Sequence, residues 1–142
     1  MRQVFEVMNR HPVTIHENDN LTQIERLMRE HRVRHLPVVR GDKLVGLVTH
    51  RDFIKAYEHC RTSDEQPWAS DFMQTDLITA TAEMSLEEAV HTVVEKKIGC
   101  LPIVQGDQLM GLVTETDLLR FCDQAIQDMD RRAAAEEYEA DA

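Results

Sequence analysis

The chain has 142 residues, of which 42% are hydrophobic and 30% charged, and it carries a formal net charge of −10. That length supports one compact domain with a real core and hardly two independent ones, and the composition is that of a soluble globular protein. Binding a polyanion demands a basic patch, so the excess of 26 acidic over 16 basic side chains argues against nucleic acid.

The N-terminus, MRQVFEVMNR, is broken by charges and lacks the apolar stretch of a signal peptide. A short apolar run, Val13-Thr14-Ile15, predicts a first strand. Asn20 then caps a predicted helix in which Leu21, Ile24, Leu27 and Met28 recur at helical spacing through Glu30. Leu36-Pro37-Val38-Val39 and Leu44 to Val48 flank the pair Gly41-Asp42, which reads as a β-hairpin. Thr49 opens a second helix with Phe53, Ile54 and Tyr57 on one side, and the polar segment Arg61 to Pro67 reads as a linker.

The second half repeats this order of strand, helix, strand, strand, helix. Leu77 to Ala80 is the predicted strand, and Ser85 caps a helix with Leu86, Ala89, Val90, Val93 and Val94 inward. Leu101 to Val104 and Leu109 to Val113 make the hairpin, and Thr114 opens the closing helix. Leu118, Leu119, Cys122, Ile126 and Met129 prolong its apolar face, and Arg132 and Glu136 are spaced to pair. The acidic end opposes the helix dipole, which predicts fraying of the last turns. No apolar run approaches membrane-spanning length. Cys60, Cys100 and Cys122 are odd in number and lack CxxC spacing, so free buried thiols and a cytoplasmic location are expected.

The two halves are copies. VRHLPVVRGDKLVGLVTHRD (Val33 to Asp52) returns as IGCLPIVQGDQLMGLVTETD (Ile98 to Asp117), shifted by 65 residues without a gap and identical at 11 of 20 positions. Two copies are too few for a solenoid and imply one domain with pseudo-twofold symmetry and two related clefts. Pro37 and Pro102 fall at equivalent places inside predicted strands, so each belongs at an edge, a bulge or a strand start. A bulge there in both copies would leave backbone groups free for a ligand; an edge strand with nothing bound is the alternative.

GLVTHRD (Gly46 to Asp52) and GLVTETD (Gly111 to Asp117), with the upstream segments RHLPVV (Arg34 to Val39) and CLPIVQGDQLMG (Cys100 to Gly111), resemble the signature of cystathionine β-synthase (CBS) domains. Two matches in register, each after a leucine-proline strand and a Gly-Asp turn, make the resemblance specific, and it covers roughly Val7 to Cys122. It implies an α+β fold of two pseudo-symmetric β-α-β-β-α units packed as one Bateman module. The implied division is 7–60 for the first CBS domain, 61–71 for the linker, 72–125 for the second domain, and 126–142 for a helix extension and acidic tail.

The resemblance also implies an adenosine-containing regulatory ligand, AMP, ADP, ATP or S-adenosylmethionine, with no resident cofactor. It implies a homodimer that passes a change of shape to a protein partner not identified by the sequence. Each cleft would combine the threonine-aspartate motif of one repeat with the first two strands of the other. The site with the stronger phosphate charge would hold Val13, Thr14, Arg34, His35, Leu36 and Pro37 with Thr114, Thr116 and Asp117. The weaker would hold Thr49, Arg51 and Asp52 with Ile78, Thr79, Gly99, Cys100, Leu101 and Pro102.

The residue chemistry runs parallel. Thr49 and Thr114 are helix N-caps with Asp52 and Asp117 at the third helical position, close to a capping box, and capping alone explains such a spacing. A helix N-terminus also attracts phosphate, whereas an ionised aspartate only accepts hydrogen bonds and suits the ribose hydroxyls. Arg34-His35 can hold phosphate; Gly99-Cys100 cannot, although Arg51, Lys96 or Lys97 could reach in. Gly46 and Gly111 mark a bend or a close approach of backbone.

Neither GDKLVG nor GDQLMG is followed by Lys-Ser/Thr, so neither is a phosphate-binding P-loop, and no HExxH occurs. A binding protein is expected rather than an enzyme. The competing expectation is a structural dimerisation module with degenerate, empty sites. Leu21, Leu27, Val90, Val94, Leu118 and Phe121 are the candidate dimer surface.

Overall fold

A computed structural model describes residues 2–141. The first half builds α1 (Leu21–His31), β1 (His35–Arg40), β2 (Lys43–Thr49) and α2 (His50–Cys60). After a short α3 (Ala69–Phe72), the second half builds α4 (Leu86–Lys96), β3 (Cys100–Gln105), β4 (Gln108–Thr114) and α5 (Glu115–Asp141). The expected caps are in place: Asn20 Oδ1 accepts from the Gln23 N–H at 3.0 Å, and Ser85 Oγ from the Glu88 N–H at 3.1 Å. The expected hairpins are in place too. Gly41 and Gly106 adopt φ of 62° and 63° at the first turn residue, which a II′-type turn requires and glycine adopts without strain.

The strands form one antiparallel sheet in the order β1-β2-β4-β3. Its two hairpins pair as strands at their tips, where Lys43 pairs with Gln108 and the Leu44 and Leu109 N–H groups donate to Asp107 and Asp42 oxygens at 2.9 Å. Each hairpin packs its own helices over a separate core. Ile15, Ile24, Met28, Leu36, Val38 and Val48 make one; Ala80, Leu86, Ala89, Leu101, Ile103 and Val113 make the other.

Two expected strands, at Val13–Ile15 and Leu77–Ala80, shrink to single parallel bridges, Ile15 to Val38 and Ala80 to Ile103. The Ile15 N–H donates to Pro37 O, and the Val39 N–H to Ile15 O, both at 2.9 Å. Pro37 has no N–H to extend that ladder. Ala80 does the same with Pro102 O and the Val104 N–H, at 3.0 and 2.8 Å. The prolines therefore sit on edge strands beside register shifts, as expected. The backbone groups there are not free for a ligand, because Ile15 and Ala80 occupy them.

The repeats exchange their leading segments. Residues near the N-terminus dock on the second half: the Val4 N–H donates to Met84 O at 2.8 Å, and Val4 is fully buried in that core. Residues 65 positions on dock on the first half: the Ala69 N–H donates to Asp19 O at 2.8 Å, and Ala69 is fully buried there. Sequence reading left Ala69 in the connecting segment, because the apolar residues around it, Trp68, Phe72 and Met73, are too few and too interrupted by polar ones to announce a core. Asn9 pairs with Leu112 and Gln74 with Leu47, the same contact made twice.

The close approach explains two glycines. A Cβ on Gly111 would stand 2.8 Å from Asn9 O, and one on Gly46 would stand 3.1 Å from Gln74 O. Helix α5 continues without a break to Asp141, about 40 Å for 27 residues, where fraying was expected. Among the described residues Arg132 and Glu136 form no ion pair; Arg131 instead lies 4.0 Å from Asp128.

Candidate ligand cleft

Both threonine-aspartate motifs form the predicted caps. The Asp52 N–H donates to Thr49 Oγ1 at 3.2 Å, and Asp52 Oδ2 accepts from the Thr49 N–H at 3.0 Å. In the second copy the Asp117 N–H donates to Thr114 Oγ1 at 3.2 Å, and Asp117 Oδ2 accepts from the Thr114 N–H at 2.9 Å. The helices they start, α2 and α5, follow directly from β2 and β4. The strands beside them hold on at the junction, with the His50 N–H donating to Arg34 O at 2.8 Å and the Glu115 N–H to Gly99 O at 3.0 Å. Sequence, cap and sheet edge thus bring 34 and 35 beside one motif and 99 and 100 beside the other.

One continuous cleft of about 1490 Å³ lies between the halves and takes in residues of both expected sites. Its floor includes Leu47, Cys100 and Leu112, a small apolar cluster where the repeats meet. Of the first candidate set, Val13, Arg34, His35, Thr114, Thr116 and Asp117 line it. Of the second set, Thr49, Arg51, Ile78, Gly99, Cys100 and Pro102 line it. Leu36 and Leu101 are fully buried in the two cores and Pro37 is fully buried in β1; none of the three lines the cleft. Thr14, Thr79 and Asp52 also stand outside its lining.

His35 belongs to both halves. Its Nε2 lies 2.5 Å from where a Cβ on Gly99 would sit, so glycine in the second repeat makes room for the imidazole of the first. Burial holds its pKa below the ordinary 6.5; Glu115 pulls it upward, Arg34 downward, and Asp52 upward. Burial also pushes the Cys100 thiol up to about 12, with Glu115 adding to the effect. Cys100 is therefore an inert core group, while Cys60 and Cys122 are only half-buried, against the expectation that all three are buried.

The cleft is cationic in an acidic protein. Arg32, Arg34, Arg51, Lys55, Lys97 and Arg120 line it against three carboxylates, Asp76, Glu115 and Asp117, a formal +3 where the chain carries −10. Among the described residues only Arg120 has a carboxylate partner, Asp117 at 3.7 Å. Sequence reading missed Arg32, Lys55 and Arg120, whose individual charges look like ordinary solvated surface. It also missed Gln74, whose Nε2 donates to Asp52 Oδ2 at 3.0 Å.

Comparison with known proteins gives the arrangement its family. The family model described as "CBS domain" matches residues 4–59 and again 69–123. The CBS domain-containing protein YhcV of Bacillus subtilis is 33% identical over 118 residues, covering 83% of this chain and 84% of that protein. Inosine-5'-monophosphate dehydrogenase of Korarchaeum cryptofilum is 37% identical over 107 residues, 75% of this chain but only 21% of the enzyme. Among solved structures, a protein assigned to acetoin utilisation (AcuB) from Vibrio cholerae superposes with a TM-score of 0.82 at 30% identity, covering 92% of this chain and 97% of that one. The CBS domain pair of protein MJ0100, in complex with 5'-methylthioadenosine and S-adenosyl-L-methionine, superposes with a TM-score of 0.75 at 25% identity, covering 84% and 98%. The chain belongs to the CBS domain family and carries two of its domains in tandem, folded as an α+β Bateman module.

Proposed function

We propose that this CBS pair is a regulatory sensor of adenine nucleotides. It takes AMP, ADP, ATP or a related adenosyl compound such as S-adenosylmethionine in the cleft and passes a change of shape to a protein partner. The observation that carries this reading is the cleft itself, which gathers Thr49, the Thr114–Asp117 motif and six cations, of which only Arg120 has a carboxylate partner among the described residues, in a chain of net charge −10. Phosphates suit the cations and helix starts, ribose hydroxyls suit Asp117, and an apolar floor suits the adenine. The bound adenosyl compounds of the related MJ0100 pair support the same class of ligand. The protein acts by binding, needs no resident cofactor, and divides functionally into residues 7–60 and 72–125.

The same reading makes the protein a cytoplasmic homodimer. Leu21 and Leu118, expected on the dimer surface, are already buried within one chain. Val94, Leu119, Ile126 and Met129 are among the large hydrophobic side chains left more than half exposed, with Tyr57, Trp68 and Tyr138, and a twofold partner would cover the first four, on α4 and α5. Among the described residues no helix is long and apolar enough to cross a membrane.

A thermal-shift panel tests the central reading. A ligand at 100 times its Kd adds about 2.7 kcal/mol, enough to move the midpoint by several degrees. A rise with at least one of AMP, ADP, ATP or S-adenosylmethionine is the expected result. No rise with any of them, nor with NAD, leaves the dimerisation-module reading in its place.

A further inference from the structure

We infer that Arg32 and Lys97 are a matched pair of phosphate-recognising residues, one in each half of the cleft, and that the ligand is a nucleoside polyphosphate rather than a sulfonium-bearing adenosyl compound. The inference rests on the nucleotide reading above and narrows it.

Backbone geometry singles these residues out. Among the described residues they are the only non-glycines with positive φ, 54° at Arg32 and 53° at Lys97. They stand 65 positions apart, so each is the other's repeat counterpart. Each closes a helix, its N–H returning to Met28 O at the end of α1 or to Val93 O at the end of α4. Glycine is the usual choice there, because a Cβ crowds the left-handed backbone. Both copies accept that strain and place a long cation where glycine would be at ease. Strain kept in over-determined positions points to function.

The surroundings point the same way. Both side chains are exposed, both residues line the cleft, and neither has a carboxylate within 4 Å among the described residues. A cation near a helix C-terminus does complement the dipole. Arg29 and Lys96, in the last turns of the same helices and in ordinary helical backbone, already supply that. The repeats differ two positions later, where Arg34 becomes Gly99; the cleft cations kept in both halves are Arg32/Lys97 and Lys55/Arg120, and only the first pair stands on strained backbone. A cationic cleft attracts a triphosphate and repels a sulfonium.

Titration calorimetry with ATP, adenosine and S-adenosylmethionine on the wild type, Arg32→Asn and Lys97→Asn tests this, because asparagine tolerates the left-handed backbone but carries no charge. The wild type should bind ATP about tenfold or more tighter than adenosine, and each variant should lose about tenfold toward ATP while adenosine binding holds. The wild-type gap between ATP and adenosine should also narrow in high salt. Melting temperature separates recognition from structure: the Asn variants should melt no lower than the wild type, and Arg32→Gly should melt about 2–4 °C higher. Variants that bind ATP like the wild type overturn the inference. Equal losses for ATP and adenosine with a lowered melting temperature also overturn it, as does a wild type that prefers S-adenosylmethionine to ATP. A wild type that binds none of the three overturns the nucleotide reading itself, a separate result.

Discussion

Gln74 donates from Nε2 to Asp52 Oδ2 at 3.0 Å, while its repeat counterpart Asn9, one methylene shorter, instead accepts from the His11 N–H at 3.0 Å. The difference makes the two aspartates unequal. Asp52 Oδ2 takes three donors, from the Thr49 N–H, the Thr49 hydroxyl and Gln74. Asp117 Oδ2 takes the Thr114 N–H, and its Oδ1 meets only Arg120 at 3.7 Å. Asp117 takes fewer donors from the fold and, unlike Asp52, lines the cleft, which makes it the aspartate placed to accept from a ribose.

Asp117→Ala should therefore weaken nucleotide binding about 10- to 100-fold, the worth of hydrogen bonds to a charged acceptor. Asp52→Ala should chiefly destabilise the fold, by about 1 kcal/mol for the lost cap. Calorimetry and thermal melts on both variants check the split. Loss of binding in Asp52→Ala with none in Asp117→Ala would reverse the assignment.

Gly99→Ala should collide with the His35 imidazole, whose Nε2 lies 2.5 Å from the added carbon. Overpacking of this kind costs about 1–3 kcal/mol, at the low end if the ring can swing into the cleft. Adding His35→Ala should recover most of the loss. Denaturant melts of the single and double variants measure the coupling, and additive losses would show that the contact is not the cause.

His35 also sets a pH dependence. Burial holds its folded pKa below 6.5, so as pH falls the unfolded chain takes up the proton first. The contribution of the neutral imidazole is complete above about 6.5 and is lost as pH drops toward the depressed folded value. Stability of the wild type minus that of His35→Gln, followed by denaturant melts from pH 8 to about 5, should fall through that window. A flat difference would contradict the burial.

Gly111→Ala should cost more than Gly46→Ala. The added carbon on Gly111 meets Asn9 O at 2.8 Å, a backbone atom, whereas on Gly46 the tightest contact is the flexible Met73 Sδ at 2.5 Å and backbone stands off at 3.1 Å. Losses of about 3 and about 1 kcal/mol are expected from the usual range for overpacking. Equal losses would mean the two docked segments are equally free to shift.

The internal repeat made the hairpins, the caps and the pairing of the two halves legible, because each depends on local chemistry: Gly41 in its turn, Asn20 and Ser85 at their helix starts. The reciprocal docking of the leading segments was not legible. Val4 and Ala69 lie in short mixed stretches, VFEVM and WASDFM, whose burial is decided by the other repeat, and identity between the copies fades outside 33–52. The same holds within the cleft. Thr114 and Asp117 announce themselves by spacing, whereas Arg32 and Arg120 acquire meaning only when folding sets both in the lining of one cleft. Leu36, Leu101 and Pro37 were read as site residues from their place in the motif, and β1 and β3, buried on both faces over 36–39 and 100–103, turn them into buried residues.

Amide chemical shifts of the ¹⁵N-labelled protein, followed through a titration with ATP, test most directly that this cleft is the nucleotide site. Shifts at Arg32 to His35, at Lys97 to Gly99 and at Glu115 to Asp117, saturating together while the far end of α5 stays still, are the predicted result. A saturable titration whose shifts avoid those residues, or no shifts at millimolar ATP, would contradict it.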